Sequence, residues 1–263
     1  MLVKNKKLIF AGLFLIFFVF SFSFILPFFY KISPFSINLD KRLSKPCFKA
    51  PFGTDELGRD LLARISYGGR ISLSLSFVVT FLSLFTGTLL GSLSGWIGGI
   101  FDEVVGRVVD FFLAFPGIIL ALGIALLLGG GFFNLILALT IANTIEVLRI
   151  SRAQTLKIKN MEFIKASLLM GSSSYKIITH HFFPHILPIT LSHSLLSIPS
   201  IILSEAGLSF IGAGITPPIP SLGNIIAEGR YHLFEAVHLT LIPGLFLFVS
   251  VLGFNLVGES LEA

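Results

Sequence analysis

Residues 8–30, 71–101, 111–145, 177–204 and 236–258 run without Asp, Glu, Lys or Arg and are strongly apolar. Each is long enough to cross a bilayer as a helix, which takes roughly 20 mostly apolar residues. The third is about 35 residues, roughly 52 Å as one helix, and a hydrocarbon core is only about 30 Å thick. Gly129, Gly130 and Gly131 lie in its middle and allow a tight reversal. That stretch therefore predicts two short antiparallel spans. The fourth begins with His180, His181, Pro184 and His185, which are expected outside the lipid. The pattern predicts six crossings and an all-α membrane protein.

Composition agrees with this. Only 13% of residues are charged and the mean hydropathy is +0.92, whereas soluble domains carry about a quarter charged residues. A soluble core of this size could not hide so much apolar surface. Cys47 is the single cysteine, which excludes an intrachain disulfide scaffold.

Charge sets the expected orientation. Lys4, Lys6 and Lys7 precede the first stretch in the manner of a signal sequence. The stretch is long, however, and no small-residue cleavage pattern follows, so a retained anchor is expected. An even number of spans puts both termini on one side. The basic N-terminus marks that side as cytoplasmic, as do Arg149, Arg152, Lys157, Lys159, Lys165 and Lys176 after the fourth span. Residues 31–70 would lie outside; their basic residues are partly offset by Asp40, Asp55, Glu56 and Asp60. This divides the chain into an anchor with its external segment (1–70) and a five-helix core (71–263), with a cytoplasmic loop at about 149–188.

Gly87, Gly91, Gly95 and Gly99 recur every fourth residue and form a flat strip that another helix can approach, at a packing interface or on the pore side. In the loop, Glu162 to Gly171 reads as a short amphipathic helix ended by glycine. Ser172 or Ser173 then caps a second short helix. Such a hairpin suits a groove on a partner protein or the surface of anionic lipid, and the pattern alone leaves both open. Glu205, near the outer end of the fifth span, either lines a path or hydrogen-bonds within the bundle and holds the following turn. Glu146 and Arg149 are spaced for a helix-surface ion pair. No Gly-x4-Gly-Lys-Ser/Thr phosphate loop occurs, so the chain lacks the usual ATP-cradling backbone.

The loop resembles a known motif. Lys165-Ala166-Ser167-x3-Gly171, then nine residues, His181, one residue and Phe183-Pro184, is similar to the "EAA" loop of ABC importer permeases. The family form is Glu-Ala-Ala-x3-Gly-x9-Ile-x-Leu-Pro; Ala166, Gly171 and Pro184 match it, and Lys165, Ser167, His181 and Phe183 depart. Further stretches resemble the peptide and nickel branch: Phe52-Gly-Thr-Asp-Glu-Leu-Gly-Arg-Asp60, Arg107-Val-Val-Asp110 through Pro116, and Ser204-Glu-Ala-Gly-Leu-Ser-Phe-Ile-Gly212. Ser221-Leu-Gly-Asn224, Ala227-Glu-Gly-Arg230 and Phe254-Asn-Leu-Val-Gly258 follow in the same order.

The resemblance, to the second permease type of the dipeptide, oligopeptide and nickel systems, implies a type-I ABC importer permease in a bacterial inner membrane. It implies that Phe163, Ile164, Lys165, Ala166, Ser167, Gly171, His181 and Pro184 form an ATPase-coupling loop. The implied partners are a second permease subunit, two ATPase subunits and an extracytoplasmic substrate-binding protein, with no nucleic acid. ATP is used by the ATPases, and this chain is expected to carry no catalytic residues, cofactor or metal. Histidines at 180, 181 and 185 could suit nickel, but the resemblance places them in the coupling loop. Peptide ranks first as cargo and nickel second. The alternatives are an ATP-independent carrier or channel, which predicts an inverted repeat that is not found, and a membrane-embedded enzyme, whose intramembrane His/Asp/Glu cluster is missing.

Overall fold

The computed structural model describes residues 6–178 and 182–262; side chains at 165, 168, 174, 175 and 260–262 lie outside the description. The fold is all-α, with no strand among the described residues. Only helices and closed barrels satisfy backbone polar groups within lipid. The helices are α1 (Lys6–Phe29, with a π-helical turn at Ser21–Ile25), α2 (Leu61–Ile97), α3 (Gly99–Leu113) and α4 (Gly117–Leu128). They continue as α5 (Phe132–Lys159), α6 (Glu162–Leu169), α7 (Ser174–Ile177) and α8 (Phe183–Leu196). The last are α9 (Ile198–Phe210), α10 (Leu222–Gly229) and α11 (His238–Glu262).

Four helices, α1, α2, α5 and α11, are each long and apolar enough to cross a membrane. Two bent pairs, α3 with α4 and α8 with α9, raise the count to six if each pair is one span. The third crossing therefore differs from the sequence expectation. The pattern placed a straight span after residue 111, but the chain turns by 94° between α3 and α4. Pro116 lies at the corner, and proline both lacks an N–H and disfavours α-helix at the residue before it. The α8–α9 bend is 41°, beside Pro199 in the first turn of α9. The glycine break between α4 and α5 lies where the pattern put it, with Gly129 at φ +82° and Gly131 at φ +131°. The second span starts earlier than expected because α2 extends back to Leu61 and includes Arg64, which finds buried partners.

The chain divides into two compact units. One comprises Met1–Phe77, Ala125–Ile136 and Ile198–Ala263; its core holds Val19, Leu61, Ile65, Ile202, Ile225 and Phe246. Within it α1 lies against α11, where Gly12 and Gly253 allow the backbones to approach. The opposite face of α1 leaves Phe10, Phe14 and Phe17 exposed, as lipid-facing side chains would be. In the segment after α1, the Tyr30 hydroxyl donates to Asp60 at 2.8 Å. Burial, and then that carboxylate, pushes the Tyr30 phenol above its ordinary range.

The same unit joins two of the quoted motifs through charge. Asp55 accepts from the backbone N–H groups of Leu57 and Arg59, each at 2.9 Å, and from the Arg59 guanidinium at 2.6 Å. Glu228 on α10 accepts from Arg59 at 3.0 Å and from Arg64 at 2.6 and 3.2 Å, and Arg64 also donates to Asp55. Two guanidinium groups thus face two carboxylates. Helix α10 starts with a reciprocal cap: Asn224 Oδ1 accepts from Ser221 N–H at 2.9 Å, and the Ser221 hydroxyl accepts from Asn224 N–H at 3.3 Å.

The second unit comprises Val78–Ile124 and Leu137–Ser197. There α2 and α5 lie backbone-close. A Cβ on Gly87 would stand 2.7 Å from Val147 Cβ, on Gly91 2.5 Å from the Leu148 oxygen, and on Gly95 2.8 Å from Thr155 Cβ. Gly99 is not part of this strip. Helix α2 ends at Ile97, and Gly99, at φ +59°, meets nothing within 4 Å.

Candidate functional site

The loop between α5 and α8 folds as a helix–glycine–helix hairpin. Helix α6 carries Glu162 in its first turn, a favourable charge at the positive end of a helix. Gly171 follows with φ +80°, a conformation that side-chain-bearing residues adopt only at cost. The Ser173 hydroxyl accepts the Lys176 N–H at 3.4 Å and opens α7. A small apolar core, Ile158, Ile164, Ile177, Phe182 and Ile186, closes beneath both helices with Trp96 packed against it.

The hairpin's two faces can now be assigned. Ile164, grouped by the sequence with the partner-facing residues, points inward and is fully buried. The period of a helix this short does not by itself decide which apolar residue meets its own chain. Ser167 is buried as well, whereas Ala166, Gly171 and Pro184 are exposed. Phe163 is partly exposed and stacks on His185 at 5.9 Å. Leu169 and Met170 are 89% and 79% exposed. Leu169 is not among the coupling residues that the resemblance implies, although it is exposed beside the glycine turn. Lys165 and Leu168 belong to α6 with side chains outside the described set, and His180 and His181 lie outside the described residues altogether.

Charged groups tie the base of the hairpin to neighbouring helices. Arg152 on α5 makes a two-pronged contact with Asp102 on α3, at 2.6 and 2.8 Å, and the Ser94 hydroxyl donates to the same carboxylate at 2.7 Å. Gly106 leaves room for that guanidinium, since a Cβ there would stand 3.1 Å from it. The sequence reading counted Arg152 only toward orientation. A cation and an anion near the ends of separate apolar runs were the available sign of the pair. Glu146 does not pair with Arg149 as its spacing predicted; it lies 3.5 Å from His193 Nε2 instead.

In the other unit Glu205 is fully buried and accepts from the Ser72 hydroxyl at 2.5 Å and the Ser209 hydroxyl at 2.9 Å. The Ser209 oxygen accepts the Ile215 N–H at 3.0 Å, which fastens the turn after α9. Among the described residues no group of three or more His, Cys, Asp and Glu could hold a metal ion.

Bent and unbroken apolar helices, with a helix–glycine–helix hairpin between two of them, define a multi-span helical membrane protein. Over residues 87–263 the chain matches the family described as "Binding-protein-dependent transport system inner membrane component". The dipeptide transport system permease protein DppC of Alkalihalophilus pseudofirmus is 34% identical over 99% of this chain and 86% of its own length. A putative peptide transport system permease protein of Brucella suis is 37% identical over 87% of this chain and 77% of its own. The glutathione transport system permease protein GsiD of Escherichia coli is 35% identical over 86% and 74%. In fold, the chain is similar to the MetNI methionine ABC transporter in an inward-facing conformation, with TM-score 0.59, 21% identity and coverage of 75% of this chain and 94% of that one.

The chain belongs to the family of binding-protein-dependent transport system inner membrane components. It has the type-I ABC importer permease fold and is a permease subunit of an ATP-driven importer, with ATP hydrolysis carried by a separate subunit. Such a permease works with an ATPase and a substrate-binding protein.

Proposed function

We propose that this chain forms half of a two-permease pore that imports peptides across a bacterial inner membrane. The observation that supports the cargo is the agreement of relatives named for dipeptide, peptide and glutathione transport. Nickel is the second candidate. Each chain carries one hairpin, and a pore served by two ATPases needs two, so a sibling permease supplies the other. Residues 1–70 serve as anchor and external segment, and 71–263 as the path with its coupling loop at about 149–188. Both termini face the cytoplasm. The hairpin docks on an ATPase through Phe163, Leu169, Met170 and the exposed backbone at Gly171, with Ala166 and Pro184 on the same exposed loop. Proximity of exposed apolar side chains to a positive-φ glycine supports docking over simple lipid contact, because the turn presents backbone as well as side chains.

The test is reconstitution. Proteoliposomes holding this chain, its sibling and both ATPases, given the binding protein and ATP, should accumulate a labelled dipeptide and exclude nickel. Uptake without the sibling would overturn the two-permease pore. Nickel uptake in the absence of peptide uptake would overturn the cargo.

A further inference from the structure

Both ends of the hairpin's stem meet a single residue, Trp96, through its ring and its backbone. Lys159, the last residue of α5, places its ammonium 2.5 Å from the Trp96 carbonyl oxygen and 3.4 Å from that of Gly95. The same ammonium lies 5.7 Å from the centroid of the indole. From the other end, Phe182, immediately before α8, sets its ring edge-on to that indole at 5.1 Å and 77°. Phe182 is 1% exposed and belongs to the hairpin's own core with Ile164 and Ile177.

Each contact has a physical reason. The last carbonyls of a helix have no partner within it and carry the negative end of the helix dipole, so a cation suits the end of α2. The ring quadrupole draws the ammonium toward the indole and favours the edge-on pair with Phe182. Trp96 is also coupled to its helix: Gly87, Gly91 and Gly95 seat the preceding turns of α2 on the backbone of α5. A displacement delivered to Trp96 is therefore delivered to a helix whose preceding turns are seated against α5.

We propose that Trp96 is a positioning residue for coupling, receiving hairpin displacement through Lys159 and Phe182 and passing it to α2. The proposal rests on reading the hairpin as the ATPase-docking element. Trp96 is the chain's single tryptophan, so difference emission between the wild-type and Trp96→Phe complexes isolates it from partner tryptophans. Trapping the complete complex with ATP and vanadate should shift that emission. Lys159→Met should keep its ATPases on purification and hydrolyse ATP, yet import about tenfold less substrate per ATP, as loss of a site-to-site coupling would produce. Lys159→Arg, which keeps a cation at the helix end, should restore import. Unchanged emission on trapping, or wild-type import per ATP in Lys159→Met, would overturn the proposal. So would loss of the ATPases from Lys159→Met, since the lysine would then only shape the docking surface. Failure of the docking reading itself shows elsewhere, as a Gly171→Val complex that keeps both its ATPases and its uptake.

Discussion

Arg64 and Glu228, 164 positions apart, are joined by two hydrogen bonds of 2.6 and 3.2 Å, and the arginine is 1% exposed. Arg59 also pairs with Asp55 and Glu228, so removing Arg64 leaves two carboxylates sharing one guanidinium in a largely buried site, an imbalance of charge that is destabilising. Arg64→Leu should lower the melting temperature of the detergent-solubilised protein sharply. Arg64→Leu combined with Glu228→Leu should cost less than the sum of the two single changes. Strict additivity would show that the pair does not act as a unit.

Gly91 and Gly123 make opposite predictions. A Cβ at Gly91 would stand 2.5 Å from the Leu148 carbonyl oxygen, a backbone atom that cannot turn aside. Gly91→Ala should destabilise by about 1–3 kcal/mol through overpacking. Gly123 meets nothing within 4 Å, so Gly123→Ala should be neutral or slightly stabilising, as the helix gains propensity. Equal melting temperatures for both variants would refute the close α2–α5 contact.

Glu205 separates a structural from a conductive role. Glu205→Leu leaves the Ser72 and Ser209 hydroxyls without their buried acceptor, at about 1–3 kcal/mol for each unsatisfied group. In Glu205→Gln the amide oxygen still accepts and the hydroxyls rotate to suit, so stability and uptake should both stay near wild type. Normal melting with abolished uptake in Glu205→Gln would instead assign the charge to the transport path.

Gly171→Val tests the hairpin. The left-handed backbone at φ +80° excludes a β-branched residue without rearrangement, yet no described atom lies within 4 Å of a Cβ there. Membrane insertion should be normal, while ATPase retention on affinity purification and substrate uptake should both fall.

Orientation is checked with single cysteines at Ser44 and Ser173 in a Cys47→Ser background. An impermeant thiol reagent applied to intact spheroplasts should label the Ser44 position and spare that of Ser173. The reverse pattern would invert the proposed topology.

How much of this was legible beforehand follows from what each feature depends on. Apolar runs, the glycine break at 129–131 and the helix–glycine–helix hairpin were readable because each depends on its own residues and their neighbours. The corner at Pro116 was underestimated: its local cause was visible, but a hydropathy pattern has no term for direction. Ile164 and Leu169 lie on one short helix, and their division into inner and outer faces depends on Phe182 and Trp96, which arrive from other elements.

The sequence by itself determined a multi-span helical membrane protein, its helix–glycine–helix loop and, through its motifs, its family resemblance, because spans and turns are set by local chemistry. Tertiary structure alone decided that Asp55, Arg59, Arg64 and Glu228 neutralise one another, that Asp102 clamps Arg152, and that Lys159 and Phe182 converge on Trp96. The reason is physical: a charge or ring far from its partner along the chain carries no local mark of it, and only packing brings the two within a few ångströms.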